Sequence, residues 1–182
     1  MTYYSIPNVI VFSNTKVVPI TKGSDEIVGH LTRPKQTPFE RHASFRFERF
    51  DQTVARTIGI LENGWKRLWI TEYGIQTAKQ QVYLKEKAGH HLLYFCIEGR
   101  LGSDTIQISE NWSGQLDVTF NQTKIAYIEL SHNKQHIIFH FHQLINENHP
   151  FFAFILCAPY FYRIYKKEHD FMEEWVEEIT SS

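Results

Sequence analysis

Hydrophobic positions along this chain fall into two regimes. Up to residue 149 they come in short runs of Val, Ile and aromatic residues cut by turn material; from Pro150 they form one unbroken block. In the first regime, Asn8–Ser13, Val17–Thr21 and Glu26–Thr32 read as strands, separated at Asn14 and by Lys22 to Asp25, because β-branched runs bounded by Gly, Asn, Ser and Asp mark strands and turns. Between Ser44 and Leu61 the pattern changes. Phe47, Phe50, Val54, Ile58 and Leu61 recur at steps of three and four, a helical period. Ser44 is placed to cap such a helix, with Glu48 and Asp51 near its positive end and Gly64 past its end. The spacing predicts an inserted helix over 44–61, although Phe45, Phe47 and Phe50 also permit a strand. Then come Arg67–Tyr73, Gln81–Lys87, His91–Ile97, Thr105–Ser109, Leu116–Phe120, Lys124–Leu130 and His136–His142. Turns every eight to twelve residues or so predict an antiparallel all-β barrel or sandwich.

The block from Pro150 to Tyr162 is apolar on every side. Pro150 suits the first turn of a helix, and a helix apolar all round lies in a core or a membrane. Crossing a bilayer takes about 20 apolar residues. This run is shorter and holds Pro159, so it predicts a buried central helix over 150–165 and no transmembrane segment. Such a helix is about 24 Å long, the height of a barrel of tilted six- to eight-residue strands. Residues 166–182 read as an amphipathic acidic tail: Phe171, Trp175 and Ile179 repeat at four, and Glu173, Glu174, Glu177 and Glu178 take the other face.

Composition narrows the class. With 42% hydrophobic and 15% aromatic residues among 182, the chain can bury a core and is expected to form one domain, 1–182. A net charge of −1 argues against a nucleic-acid binder. The charge is uneven: residues 1–70 carry +4, residues 71–149 carry −2 and residues 150–182 carry −3. Cys96 and Cys157 sit in apolar runs and read as small buried hydrophobes, too few for a four-cysteine zinc site or a disulfide framework. The opening Met-Thr-Tyr-Tyr-Ser-Ile-Pro has neither the basic nor the apolar region of a signal peptide, which predicts a cytoplasmic protein.

Two stretches have a family likeness. Ile20-Thr-Lys-Gly-Ser-Asp-Glu-Ile-Val-Gly-His-Leu-Thr-Arg33 is a strand, a tight turn and an "Ile-Val-Gly-x-Leu" strand; Phe120 to Leu130 has the same shape, with Ala126 where Gly is commoner. With a barrel pattern followed by one apolar helix, the chain resembles the tubby C-terminal-like superfamily, which includes LURP-one-related proteins and phospholipid scramblases. The resemblance extends over nearly the whole chain in architecture, with 44–61 matching the insert of small bacterial members. It implies a closed antiparallel barrel of about 10–12 strands around a C-terminal central helix. It also implies a binding or regulatory module rather than an enzyme. Tubby reads phosphoinositide headgroups with surface Lys and Arg, and scramblases add a calcium site. No calcium loop is evident here, and no headgroup residue of tubby is carried over.

Candidate chemistry is sparse. Arg33, Lys35 and Arg41 surround Pro34 and Pro38 in a loop, Arg46, Arg49 and Arg56 follow on the expected helix, and Lys66 and Arg67 flank the next strand. Such a cluster attracts phosphate groups by long-range field and bidentate Arg contacts. Arg33, Lys35, Arg41, Lys66 and Arg67 are therefore the candidate site for anionic lipid headgroups or a protein partner, peripheral to a membrane. His136, His140 and His142 share one strand face, and a His-x-His pair can ligate a transition metal if His90 or His91 adds a third ligand. An ordinary outward polar face in a chain of ten His is the favoured reading, so no metal is expected. No Gly-x-Ser-x-Gly elbow and no Gly-rich phosphate loop occurs. The expected function is thus a non-enzymatic binding module without a cofactor. The alternatives are a lipocalin-like carrier of a hydrophobic ligand and a metal-dependent enzyme built on the His strand.

Overall fold

The computed structural model describes residues 2–9, 16–61, 70–87 and 94–180, with the side chains of the last helix described as far as residue 171. Twelve strands of the described residues close into an antiparallel barrel. They are β1 (Thr2–Pro7), β2 (Val18–Lys22), β3 (Glu26–Thr32), β4 (Phe39–Arg49), β5 (Ala55–Leu61), β6 (Glu72–Gln76), β7 (Gln81–Glu86), β8 (Cys96–Leu101), β9 (Asp104–Glu110), β10 (Leu116–Phe120), β11 (Thr123–Leu130) and β12 (His136–Phe141). Each pairs with its sequence neighbour, and β1 closes the ring by pairing with β12, Thr2 opposite Phe141 and Pro7 opposite His136. Among the described residues closure leaves no strand edge to recruit another chain.

Local chemistry explains the hairpins. Asn121 and Gln122 form the two-residue turn between β10 and β11 with φ of 48° and 66°, the left-handed pair that matches the twist of the flanking strands. In β10, Leu116 and Val118 are buried while Asp117 and Thr119 between them are part-exposed, as the two-residue period requires.

Residues 44–61 are not a helix. They form most of β4, a turn at residues 50–53 and β5, with Glu48 opposite Ala55. The three- and four-residue spacing ran across that turn. Within each strand the large core side chains come at every second position, Phe45 with Phe47 and Ile58 with Ile60. Phe50, placed by the helical period on the apolar face, is 73% exposed at the turn. Ser44, the expected cap, is buried in β4. Asp51 holds the turn instead, accepting from the Thr53 amide at 3.0 Å. The first strand lies earlier than expected, at Thr2–Pro7, and residues 10–13 of the expected Asn8–Ser13 fall outside the described residues. The expected strands at 67–73 and 91–97 also lie partly outside them; β8 runs on through Gly99 to Leu101, where the sequence suggested a turn.

The lumen is filled by α1 (Pro150–Thr180). Every residue from Phe151 to Phe161 is buried. Phe152 meets Tyr4 of β1 edge to face at 5.2 Å, Phe154 meets Tyr73 of β6 at 5.9 Å and Tyr160 stacks on Phe45 of β4 at 5.0 Å. Burying each such ring contributes roughly 1.5–3 kcal/mol. Pro159 lies inside the helix and leaves the carbonyl one turn before it without its amide partner. Beyond the barrel, residues 166–180 continue the helix for about 22 Å. Among the described residues no helix is long and apolar enough to cross a membrane.

Candidate functional site

The barrel has two unlike rims. At the lower rim residues 142–149 lead into α1, and polar side chains lock that approach. The Tyr4 hydroxyl donates to Glu147 Oε1 at 2.6 Å, and Lys22 Nζ reaches the same oxygen at 3.0 Å. Arg49 Nη1 donates to Asn148 Oδ1 at 2.7 Å. His149 Nδ1 accepts the Phe151 amide at 3.2 Å, which makes Nε2 the donor to Asp104 Oδ2 at 3.1 Å. An imidazole therefore caps α1. Burial works to raise the Glu147 pKa, but hydrogen bonds from Tyr4 and Lys22 outweigh it and hold the carboxyl below its ordinary value. Asn121 and His149 hold Asp104 low by hydrogen bonding.

The upper rim carries the basic loop singled out in the sequence. Arg33 Nη1 donates to the Ser44 carbonyl at 2.7 Å, and its guanidinium carbon lies 4.8 Å from the Phe45 ring centroid. Burial lowers its pKa. Arg33 thus pins the β3–β4 loop to the barrel and is not a free surface cation. Lys35 and Arg41 are exposed, and no ion pair engages either among the described residues. Lys66 and Arg67 lie outside the described residues. The structure does not gather Arg46, Arg49 and Arg56 with the loop: Arg46 pairs with Glu48 at 2.6 Å, and Arg49 and Arg56 reach Asn148 at the lower rim. α1 leaves the barrel at the upper rim, because Phe45 beneath Arg33 stacks on Tyr160, and Arg163 follows over Tyr160 at 5.8 Å. The helical segment bearing Glu173, Glu174, Glu177 and Glu178 therefore extends from the same rim as Lys35 and Arg41.

The His strand has other commitments. His140 Nε2 is 3.0 Å from Glu129 Oε1, and its ring stacks on Tyr127 at 4.5 Å. His142 tilts against the same Tyr127 ring at 5.8 Å, while His136 is exposed near the upper end of β12. His90 and His91 fall outside the described residues. Among the described residues no group of three His, Cys, Asp or Glu side chains is placed to hold a metal ion. Burial raises both thiol pKa values, Cys96 and Cys157, which makes each a poor nucleophile. Trp112 is fully exposed at the turn between β9 and β10; Trp65 and Trp69 are outside the described residues.

Sequence reasoning missed a groove of about 560 Å³ on the outer barrel face, crossing β6 to β10. Register builds it. Glu72 is opposite Lys85, Lys85 opposite Glu98, Glu98 opposite Gln107 and Gln107 opposite Thr119, one row of outward side chains over five strands. Tyr83 stands beside the row, 59% exposed. The sequence signal was the alternation Gln81-Val-Tyr-Leu-Lys-Glu86, which turns Tyr83 outward with Gln81 and Lys85. Comparison with protein-family models, curated proteins and solved structures finds no match.

Proposed function

We propose that this chain is a non-enzymatic binding module, of the tubby-like kind its sequence resembles, that meets an anionic surface at its upper rim. The observation that carries this reading is the filled lumen. Phe152, Phe154, Ile155 and Phe161 are at most 1% exposed, so a small hydrophobic ligand has no place inside, and recognition belongs to the outer surface. That favours a surface module over a carrier. Lys35 and Arg41 supply the attraction, with about 1 kcal/mol each against an anionic leaflet within a Debye length. The acidic end of α1 works against it from the same rim. Binding is then weak, reversible and salt-sensitive.

The experiment is co-sedimentation with phosphatidylserine-containing and neutral vesicles at low and high salt. Lys35→Glu with Arg41→Glu is the reversal; Arg33 is left intact because it holds the loop. The expected result is binding to anionic vesicles alone, abolished by salt and by the reversal, and stronger in a chain ending at residue 171. Binding that ignores salt, or none to anionic vesicles with either chain, contradicts the reading.

A further inference from the structure

The groove across β6 to β10 lies on the barrel wall and is independent of the rim. Its volume, about 560 Å³, falls in the range of small-molecule sites, roughly 300–1,000 Å³. Its lining carries two cations, Lys85 and Arg100, and two carboxylates, Glu72 and Glu98, the second also paired with Lys87 outside the groove. Two carboxylates in the wall repel a phosphate or nucleotide, which favours a site lined by cations alone. A site for a lipid chain needs exposed aliphatic side chains. Leu84 and Ile106, although they contribute to the groove, have side chains buried at 2% and 3%. The exposed large ring is Tyr83 alone among the lining residues.

What the row offers is alternating donors and acceptors around an aromatic face. Glu98 forms its ion pair with Lys87 at 3.1 Å rather than with Lys85, which stands opposite it. Lys85, opposite both Glu72 and Glu98, forms an ion pair with neither among the described residues, so Nζ keeps its donors. Arg100 is exposed and uses Nε on the Gly102 carbonyl at 2.9 Å; among the described residues no ion pair engages its terminal nitrogens. Gln107 spends its amide nitrogen weakly on Cys96 Sγ at 3.5 Å, and its oxygen accepts. Hydroxyl groups both donate and accept, so a neutral polyhydroxylated ligand satisfies both kinds of group at once. A tyrosine ring gives its C–H face an apolar platform at low entropic cost. Five strands at about 4.8 Å spacing make the row about 19 Å wide, long enough for several linked rings.

We propose that Tyr83 and the outward row Glu72–Lys85–Glu98–Gln107–Thr119 form a binding site for a neutral oligosaccharide. The test is ¹H–¹⁵N correlation spectroscopy of the full chain titrated with maltotriose, cellotriose, chitotriose and xylotriose, with glucose 6-phosphate as the anionic probe. At least one neutral trisaccharide is expected to shift the amides of Tyr83, Lys85, Glu98, Arg100 and Gln107 together. Tyr83→Ala, at an outward exposed position, should weaken that binding about tenfold or more, while Tyr83→Phe retains it. No shift with any trisaccharide, shifts outside β6 to β10, equal affinity in Tyr83→Ala, or tighter binding of glucose 6-phosphate in the groove overturns the proposal. None of these outcomes bears on vesicle binding at the upper rim.

Discussion

Arg33 lies over Phe45 with its guanidinium carbon 4.8 Å from the ring centroid. The ring stacks on Tyr160 of α1, so a loop cation, a strand and the central helix form one column. Arg33→Ala should therefore cost about 2 kcal/mol, the sum of a charge-assisted hydrogen bond and a cation–π contact. Lys35→Ala and Arg41→Ala should stay within about 0.5 kcal/mol of wild type. Urea unfolding of the three variants decides it, and equal stabilities would remove Arg33 from its structural role.

Gly59 and Gly74 face each other across β5 and β6 and form the bed for Phe39. Gly59 alternates with buried Ile58 and Ile60, so it faces outward, and a Cβ there would come within 2.5 Å of Phe39 Cβ. Gly59→Ala should destabilise by about 1–3 kcal/mol through overpacking. Adding Phe39→Ala should recover part of that loss, a non-additivity expected of residues in contact. Thermal melts that show simple addition would mean the ring does not rest on Gly59.

The lower rim should register in the pH dependence of stability. Glu147 has its folded pKa depressed, so its contribution is present above the ordinary glutamate value of about 4.3 and is lost as pH falls through the folded value. Asp104 acts in the same direction. Glu147→Gln should cost about 1 kcal/mol near neutral pH, allowing for its partial exposure. The gap from wild type should close as pH falls toward the folded value. Denaturant midpoints at a series of pH values test this; a gap that widens in acid has the wrong sign.

How much of this was legible in the sequence depended on range. β10 and β11 could be read because Leu116, Val118 and their polar neighbours alternate and Asn121-Gln122 is a local turn. α1 could be read because a run apolar on all sides has few places to go. Residues 44–61 misled because a spacing counted across the 50–53 turn imitates a helix, and only the pairing of Glu48 with Ala55 separates the two. Arg33 looked like its loop neighbours; its distinction is a carbonyl eleven residues away. The His149 cap needs Asp104, 45 residues earlier. The groove exists only once register sets Lys85 beside Glu98 and Glu98 beside Gln107. Local composition carried the elements, and long-range pairing carried the sites.

The central claim is that α1 is the core of the barrel, which leaves recognition to the outside. Phe154 is fully buried at mid-lumen against Tyr73 and Phe161. Phe154→Asp places an unpaired carboxylate there, a cost of several kcal/mol that a fold of ordinary marginal stability does not survive. The measurement is near- and far-UV circular dichroism with sedimentation of that variant beside Phe171→Asp, whose parent ring is 64% exposed. The account predicts an unfolded or aggregated Phe154→Asp and a native Phe171→Asp. A soluble, folded Phe154→Asp with the wild-type spectrum would contradict it.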